Sequence, residues 1–389
     1  MRIAKHVRKL EEYVPGEQPK TRNVIKLNTN ENPYPPSPKC RAALHAFDCT
    51  RLRRYPDPNC TELCTEIAKL NHTTPDRVFV GNGSDEILAL AAKCFVENDE
   101  KIGSLDPSYS LYKTLAAIRD VEWVGLEKDV RHETGDKKPG EDERRETSDK
   151  SLASQVSCLT SSTSLFLLTN PNAPTGEFRE PAEIAKFAKR FKGVVIVDEA
   201  YGDFARANCM SLATAEKNRN LIVMRTFSKS YSLAGLRVGY CVGPKDLIRA
   251  MYKVKDSYNV DALAQTVALA AIRDQAWMRK NAEKVIRSRR RLTAELERRG
   301  WDVIPSESNF VFARPPQRGR DIPVACEKRG RDIPVACEKE AFRIFSALRE
   351  RNIFVRYFRG PKTGDRLRVT IGTEPEMKKL LKTLYELNS

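Results

Sequence analysis

Arg225-Thr226-Phe227-Ser228-Lys229-Ser230-Tyr231-Ser232-Leu233-Ala234-Gly235-Leu236-Arg237-Val238-Gly239 is the stretch on which the reading of this chain turns. Lys229 stands between hydroxyl residues, and Arg237 follows eight positions later in a glycine-bounded turn. The pattern suits a Schiff base between the lysine and an aldehyde cofactor, since such an amine must be rigidly placed and partly unprotonated. A guanidinium nearby grips a phosphate with bidentate geometry. A surface lysine in a polar loop carries the same Ser-Lys pair, so the decision rests on the residues upstream.

Val194-Val195-Ile196-Val197 is a short β-branched run that reads as a buried parallel strand, and it ends in Asp198-Glu199-Ala200-Tyr201. Ligands of open α/β sheets lie beyond the carboxyl ends of the strands, where Asp198 emerges. A carboxylate there can hold a pyridine nitrogen protonated and make the ring an electron sink. Tyr201 could then reach the ring's phenolic oxygen. A cap on the following segment is the alternative role for Asp198, and both stay open at this level.

Ser164-Leu165-Phe166-Leu167-Leu168 reads as a second strand and runs into Thr169-Asn170-Pro171-Asn172-Ala173-Pro174-Thr175-Gly176, a rigid turn. Val78-Phe79-Val80 is a third strand-like run, followed by Gly81-Asn82-Gly83-Ser84-Asp85-Glu86 and by Ile87, Leu88, Ala91 and Phe95 at helical spacing. Ser84 is the expected N-cap, Asp85 and Glu86 suit the helix dipole, and the first-turn N–H groups form a phosphate cradle. The run is not a dinucleotide fingerprint, because Glu86 occupies the place of the third glycine.

In this order the blocks resemble the fold type I pyridoxal-5′-phosphate enzymes, specifically the class II histidinol-phosphate aminotransferase group. The likeness also takes in Leu27-Asn28-Thr29-Asn30-Glu31-Asn32-Pro33-Tyr34, Arg54-Tyr55-Pro56-Asp57-Pro58, Pro107-Ser108-Tyr109, Ser308-Asn309-Phe310-Val311, Phe354-Val355-Arg356 and Leu367-Arg368-Val369-Thr370-Ile371-Gly372. It implies an α/β fold: a large domain with a mostly parallel seven-stranded sheet flanked by helices, and a smaller α/β C-terminal domain. The boundaries it suggests are an N-terminal arm over 1–35, the large domain over 36–275 and the small domain over 276–389, with the arm folded onto the small domain.

The resemblance assigns the catalytic roles to Lys229, Asp198 and Tyr201. Lys229 forms the Schiff base and shuttles the proton between the substrate's α-carbon and the cofactor's C4′. Asp198 pairs with the ring nitrogen, Tyr201 contacts the ring oxygen and Tyr109 stacks on the ring. Ser84, Asp85 and Glu86 meet the phosphate, with Thr226, Ser228 and Arg237 completing the clamp. Tyr55 reaches across a homodimer interface into the neighbour's site. Tyr13 and Asn32 lie on the substrate side, Arg368 takes a carboxylate and Arg356 an acidic substrate group. One departure stands out: the family commonly has Asn before the Pro-Thr-Gly, bonding the phenolic oxygen, and here Ala173 is there. Either Asn172 substitutes from a shifted backbone, or Tyr201 holds that oxygen alone.

The implied reaction is amino transfer between a phosphorylated or aromatic amino compound, histidinol phosphate foremost, and 2-oxoglutarate. Alternatives with the same cofactor are a decarboxylase of the threonine-phosphate type and an aromatic amino-acid aminotransferase. A regulator that keeps the fold as a non-catalytic sensor is the alternative outside enzymes. Too little chain precedes Leu27 for the DNA-binding domain such a protein adds, and the joint presence of Lys229, Asp198 and Arg237 argues for chemistry.

The net charge of +16 comes from 68 Lys and Arg against 52 Asp and Glu. The positives are dispersed among acids and the densest cluster, Arg287 to Arg291, lies on a helical pattern. Anionic small molecules therefore fit the balance better than nucleic acid. No apolar run reaches a membrane span, and the basic start lacks a secretory apolar stretch, so a cytoplasmic protein is expected. The ten cysteines and four histidines show no zinc-type spacing; reduced thiols and no metal are expected. Strands and helices alternate from about 78 to 245, and one long helical pattern spans Ala262 to Arg299. Residues 128–151 read as a solvated insertion. Arg318-Gly319-Arg320-Asp321-Ile322-Pro323-Val324-Ala325-Cys326-Glu327-Lys328 recurs verbatim at 329–339, a duplicated surface loop ahead of a helix expected at Glu340–Arg351.

Overall fold

The computed structural model describes residues 2–10, 16–19, 23–127, 152–159, 161–316 and 335–388. Its strands are β1 (Ile25–Lys26), β2 (Val78–Gly81), β3 (Lys101–Asp106), β4 (Glu122–Glu127), β5 (Thr163–Thr169), β6 (Val194–Asp198), β7 (Leu221–Thr226), β8 (Gly239–Val242), β9 (Asp302–Ile304), β10 (Phe310–Arg314), β11 (Ile353–Phe354), β12 (Arg356–Tyr357) and β13 (Leu367–Thr370). Its α-helices are α1 (Pro38–His45), α2 (Thr61–Leu70), α3 (Gly83–Phe95), α4 (Leu111–Arg119), α5 (Pro181–Arg190), α6 (Met210–Thr214), α7 (Lys245–Val254), α8 (Ala262–Ile272), α9 (Gln275–Glu297), α10 (Val335–Glu350) and α11 (Glu374–Asn388).

A seven-stranded sheet runs in the order β2-β8-β7-β6-β5-β3-β4. The contacts from β7 through β4 are parallel, and β8 is antiparallel to both its neighbours. The β-branched runs form its centre because they are buried on both faces. Val195, Val197, Phe166, Leu168, Leu221 and Val223 enter one apolar cluster, while Ile196, Leu165, Leu167, Ile222 and Met224 enter the other. This alternation is the two-residue period of a strand packed on both sides. All the parallel strands point the same way, so their carboxyl ends, Thr169, Asp198 and Thr226 among them, lie along one edge.

A second sheet has the order β12-β13-β10-β9 and is antiparallel throughout. Near it β1 pairs in parallel with β11, with Ile25 opposite Ile353. The N-terminal chain is thereby stitched to an element far along the sequence: Leu27 N donates to Phe354 O at 2.7 Å and Thr370 N to Leu27 O at 3.0 Å.

Two helical expectations need correction. The pattern over Ala262–Arg299 is two helices, broken at Arg273–Asp274. Asp274 leaves the helical path to accept a hydrogen bond from Ser37 Oγ, the residue that caps α1, and Gln275 Nε2 donates to Tyr231 Oη at 2.9 Å. The break ties the start of α1 to the loop carrying Lys229, a tertiary demand that helical periodicity does not carry. The second correction concerns the repeat. Its last five residues, Val335 to Lys339, are already the first turn of α10, which begins earlier than Glu340. Cys337 joins Ala341, Ile344 and Leu348 on the buried stripe of that helix. The first copy, the start of the second and the segment 128–151 lie outside the described residues.

Deleting residues 318–328 gives the same polypeptide as deleting 329–339, because the copies are identical, so α10 keeps its first turn. A loop shortened by eleven residues changes closure entropy only slightly. The shortened protein is expected to melt within about 3 °C of the full chain in a calorimetric scan. A larger fall would give the duplicated loop a structural part.

Candidate active site

Asp198 closes β6 and is buried. Its Oδ2 accepts from Tyr112 Oη at 2.9 Å and its Oδ1 from the Ala200 N–H at 3.0 Å. It therefore does cap the following turn, with one oxygen, while the other faces the buried tyrosine of α4. Burial pushes its carboxyl up to about 6; the Tyr112 and Ala200 hydrogen bonds and the Lys229 charge pull the other way without cancelling it. Lys229 Nζ donates to Thr29 O at 3.3 Å and lies 5.8 Å from the Tyr201 ring centre. Tyr201 Oη accepts from Asn30 Nδ2 at 2.9 Å, and its ring packs edge-on against Phe310.

The carboxylate next in sequence points the opposite way. Glu199 is ion-paired to the partly buried Arg225 at 2.8 Å, and Arg225 also reaches Asp203 at 2.8 Å. Asp203 accepts from Ser230 Oγ, beside Lys229. Asn32 Nδ2 donates to the carbonyls of Lys229 and Ser230 at 3.0 and 3.2 Å. The lysine loop is thus clamped from two directions, which is how a flexible four-carbon side chain is given a fixed origin.

The start of α3 meets the turn after β7. The cap is Asn82, two residues earlier than the expected Ser84, and it makes no side-chain cap bond. Glu86 serves instead: its carboxylate accepts from Asn82 N at 2.6 Å and Asn259 Nδ2 at 2.8 Å. Gly83, at φ +79°, steers the chain into the helix. A Cβ on Gly83 would stand 2.7 Å from Arg237 Nη2, and one on Gly239 would stand 2.8 Å from Ser84 N. Both bare positions keep guanidinium and helix N-terminus in contact distance. Arg237 Nη1 donates to Ser228 Oγ at 3.3 Å, and Thr226 Oγ1 to the same oxygen at 3.0 Å. Asp85 pairs with Arg237 at 3.2 Å, but both side chains are about half exposed, so the pair contributes at most about 1 kcal/mol and yields readily to an anion. Tyr109 Oη lies 3.4 Å from Asp85, and its ring meets Tyr112 edge-on. A phosphate-bearing pyridine fits this arrangement: cations and helix N–H groups at one end, a buried acid at the other.

Arg356 and Arg368 are register partners on β12 and β13. Arg368 Nη2 donates to Asn28 O at 2.9 Å, and both guanidinium groups lie over the Phe358 ring. Two cations thus share one neighbourhood, which suits anionic ligands. The structure leaves other expected residues elsewhere. The Asn172 amide is engaged with Pro107 O and Thr175 Oγ1, each at 3.0 Å, and accepts from Ser108 Oγ at 2.9 Å. It shapes the turn before Tyr109 and is not turned to replace the amide missing at Ala173. Tyr55 is 81% exposed and stacks on Tyr258 at 4.4 Å. Tyr13 lies outside the described residues. Sequence reasoning missed Tyr112, Asn30, Arg225 and the role of Glu199. A buried-tyrosine spacing on α4 and an acid directly after Asp198 were the only signals.

The model of the family described as aminotransferase class I and II matches residues 22–384. The histidinol-phosphate aminotransferase of Syntrophotalea carbinolica is 40% identical over 387 residues, covering 99% of each chain. In fold, the chain is similar to the crystal structure of histidinol-phosphate aminotransferase from Sinorhizobium meliloti in complex with pyridoxal-5′-phosphate, with a TM-score of 0.81, 22% identity and coverage of 99% and 98%. It is also similar to L-threonine-O-3-phosphate decarboxylase from Porphyromonas gingivalis, with a TM-score of 0.71, 19% identity and coverage of 94% and 99%. The fold alone therefore does not separate transfer from decarboxylation.

The raised Asp198 carboxyl has a consequence for the cofactor-free protein. Between the usual carboxylate value of 3.8 and about 6 the native state keeps a proton that the unfolded chain releases, so stability falls as pH rises through that window. The loss is complete above it and is on the order of 2–3 kcal/mol. Asp198→Asn removes the titration, so the cofactor-free variant is expected to melt above the parent at pH 8 and to lose that advantage at pH 4. A difference between the two proteins that is independent of pH would contradict this.

Proposed function

Because the chain belongs to the class I and II aminotransferases, we propose that it binds pyridoxal 5′-phosphate and moves an amino group from histidinol phosphate to 2-oxoglutarate. The observation that carries the reading is the convergence of Lys229, the buried Asp198 and the Arg237 cradle at the carboxyl edge of one sheet. The full-length similarity to histidinol-phosphate aminotransferases supports the donor. Bound, the cofactor supplies an electron sink for the charge released at the substrate's α-carbon.

The chain's own groups do the rest. Lys229 would hold the cofactor at its aldehyde carbon, and its amine is the group that would move a proton between the substrate's α-carbon and C4′. Asp198 would hold a proton on the ring nitrogen, whose positive charge would offset the desolvation that disfavours the carboxylate. Tyr201 directs its hydroxyl to the phenolic oxygen, and Tyr109 covers a ring face. Arg237, Ser228, Thr226 and the N–H groups at Ser84 and Asp85 hold the phosphate; Glu86 acts there as a cap. Arg368 orients a substrate carboxylate, Arg356 serves the acidic end of the donor, and Tyr13 and Asn32 belong to the substrate side. The exposed Tyr55–Tyr258 stack supports a homodimer in which a second copy covers it. A cytoplasmic location goes with the reading; among the described residues no helix is long and apolar enough to cross a membrane.

Two expected outcomes test this. Borohydride treatment of cofactor-loaded protein is expected to add the cofactor mass to one peptide containing Lys229, and Lys229→Arg to lose that label with a fall in turnover of roughly 10²–10⁴-fold. Histidinol phosphate is expected to convert the cofactor to its amine form faster than phenylalanine or threonine phosphate does. Carbon dioxide released from threonine phosphate would assign decarboxylation instead, and labelling at another lysine would overturn the site.

A further inference from the structure

The phenolic oxygen of the proposed cofactor raises a question specific to this chain. Ala173 stands where the family commonly has an amide for that oxygen, and the neighbouring Asn172 amide is fully engaged in the Pro107–Thr175 turn. Tyr201 is left as the donor, so the direction of its hydroxyl proton matters more here than where an amide shares the work.

Asn30 fixes that direction. It is buried, and each of its polar groups has a partner. Its backbone N–H donates to Thr370 Oγ1 at 3.0 Å, and its carbonyl accepts from Asn309 Nδ2 at 2.9 Å. The Thr370 hydroxyl donates back to Asn30 Oδ1 at 2.9 Å. That bond identifies the amide oxygen and leaves Nδ2 as the group 2.9 Å from Tyr201 Oη. An N–H already pointing at the tyrosine oxygen occupies a lone pair, so the hydroxyl proton cannot turn back toward Asn30. Among the described residues no protein acceptor takes that proton, and the Lys229 amine shares its cleft. The incoming N–H also polarises the O–H and strengthens it as a donor.

We propose that Asn30 is a positioning residue that aims the Tyr201 hydroxyl at the cofactor's phenolic oxygen and so compensates for the amide absent at Ala173. The inference rests on the functional reading above. It also gives the Thr370–Asn30–Tyr201 chain a task beyond joining β13 to the large sheet, since Arg368 lies two residues before Thr370 on the same strand.

The readout is the pH midpoint of the cofactor's absorbance change in substrate-free holoenzyme. A donor to the phenolic oxygen draws charge from it, so the oxygen holds less tightly the proton it shares with the Lys229 nitrogen, and that proton leaves at lower pH. Asn30→Gly suits the left-handed backbone at φ 57° while removing the amide. It is expected to raise the midpoint by on the order of 0.5–1 pH, a three- to tenfold change in the proton equilibrium. Asn30→Asp keeps the acceptor for Thr370 but makes the tyrosine donate backwards, and is expected to raise it at least as far. In a Tyr201→Phe background Asn30→Gly is expected to add nothing. A purely structural Asn30 would lower the melting temperature without moving the midpoint, or would shift it equally in both backgrounds, and either result overturns the proposal. A parent protein with no pH-dependent band would sink the cofactor reading itself, and this inference with it.

Discussion

A carboxyl group taken out of water costs free energy unless something positive is brought to it, and the site is organised around one such group. Asp198 ends the central strand β6 with hydrogen bonds from Tyr112 and Ala200 but no cation within ion-pair distance among the described residues. Glu199, one residue on, shows the opposite arrangement. Its carboxylate is matched at once by Arg225, itself held by Asp203. Because successive residues at a strand end face opposite sides, one acid is neutralised inside the protein and the other is left without a cation among the described residues. The first makes the second possible: the Glu199–Arg225–Asp203–Ser230 network fixes the backbone from which Asp198, Tyr201 and Lys229 all project.

The segment from Leu27 to Asn32 joins this edge to the second sheet. Arg368 donates to Asn28 O, Lys229 to Thr29 O, Asn30 to Tyr201, and Asn32 to the backbone at Lys229 and Ser230. Four of the five residues from Asn28 to Asn32 thus meet groups of Arg368, Lys229, Ser230 and Tyr201. A shift of β13, where Arg368 and Thr370 sit, is felt at the lysine and the tyrosine through two backbone units. The chemistry of an amino-group carrier needs such coupling, since the substrate's carboxylate and the reacting carbon must be placed together.

Much of this was legible in the chain. Val194–Val197 followed by Asp198, and Gly81–Glu86 before a helical pattern, give strand ends and a helix start whose chemistry depends on local geometry alone. What stayed hidden depends on long-range partners. Nothing local says that Tyr112 turns its hydroxyl to Asp198, or that Asn30 meets Tyr201 across the fold. Ser84 looks like the better cap by residue type, yet the positive φ of Gly83 moves the start and hands the capping to Glu86. The helical period between Ala262 and Arg299 is continuous in composition, while the break at Asp274 answers to Ser37. In the repeat, Val335–Lys339 resemble a loop until Cys337 is seen on the stripe of α10.

The proposed function requires one aromatic ring to span from Lys229 to Asp198, with the buried acid keeping its nitrogen protonated. Nitrogen NMR of protein loaded with pyridoxal 5′-phosphate labelled at the ring nitrogen measures that proton directly. A pyridinium signal is expected to persist at pH 8, where free pyridoxal phosphate would have begun to lose it. A neutral-pyridine signal at that pH would mean that Asp198 does not face the ring, and the arrangement described here could not then perform the chemistry assigned to it.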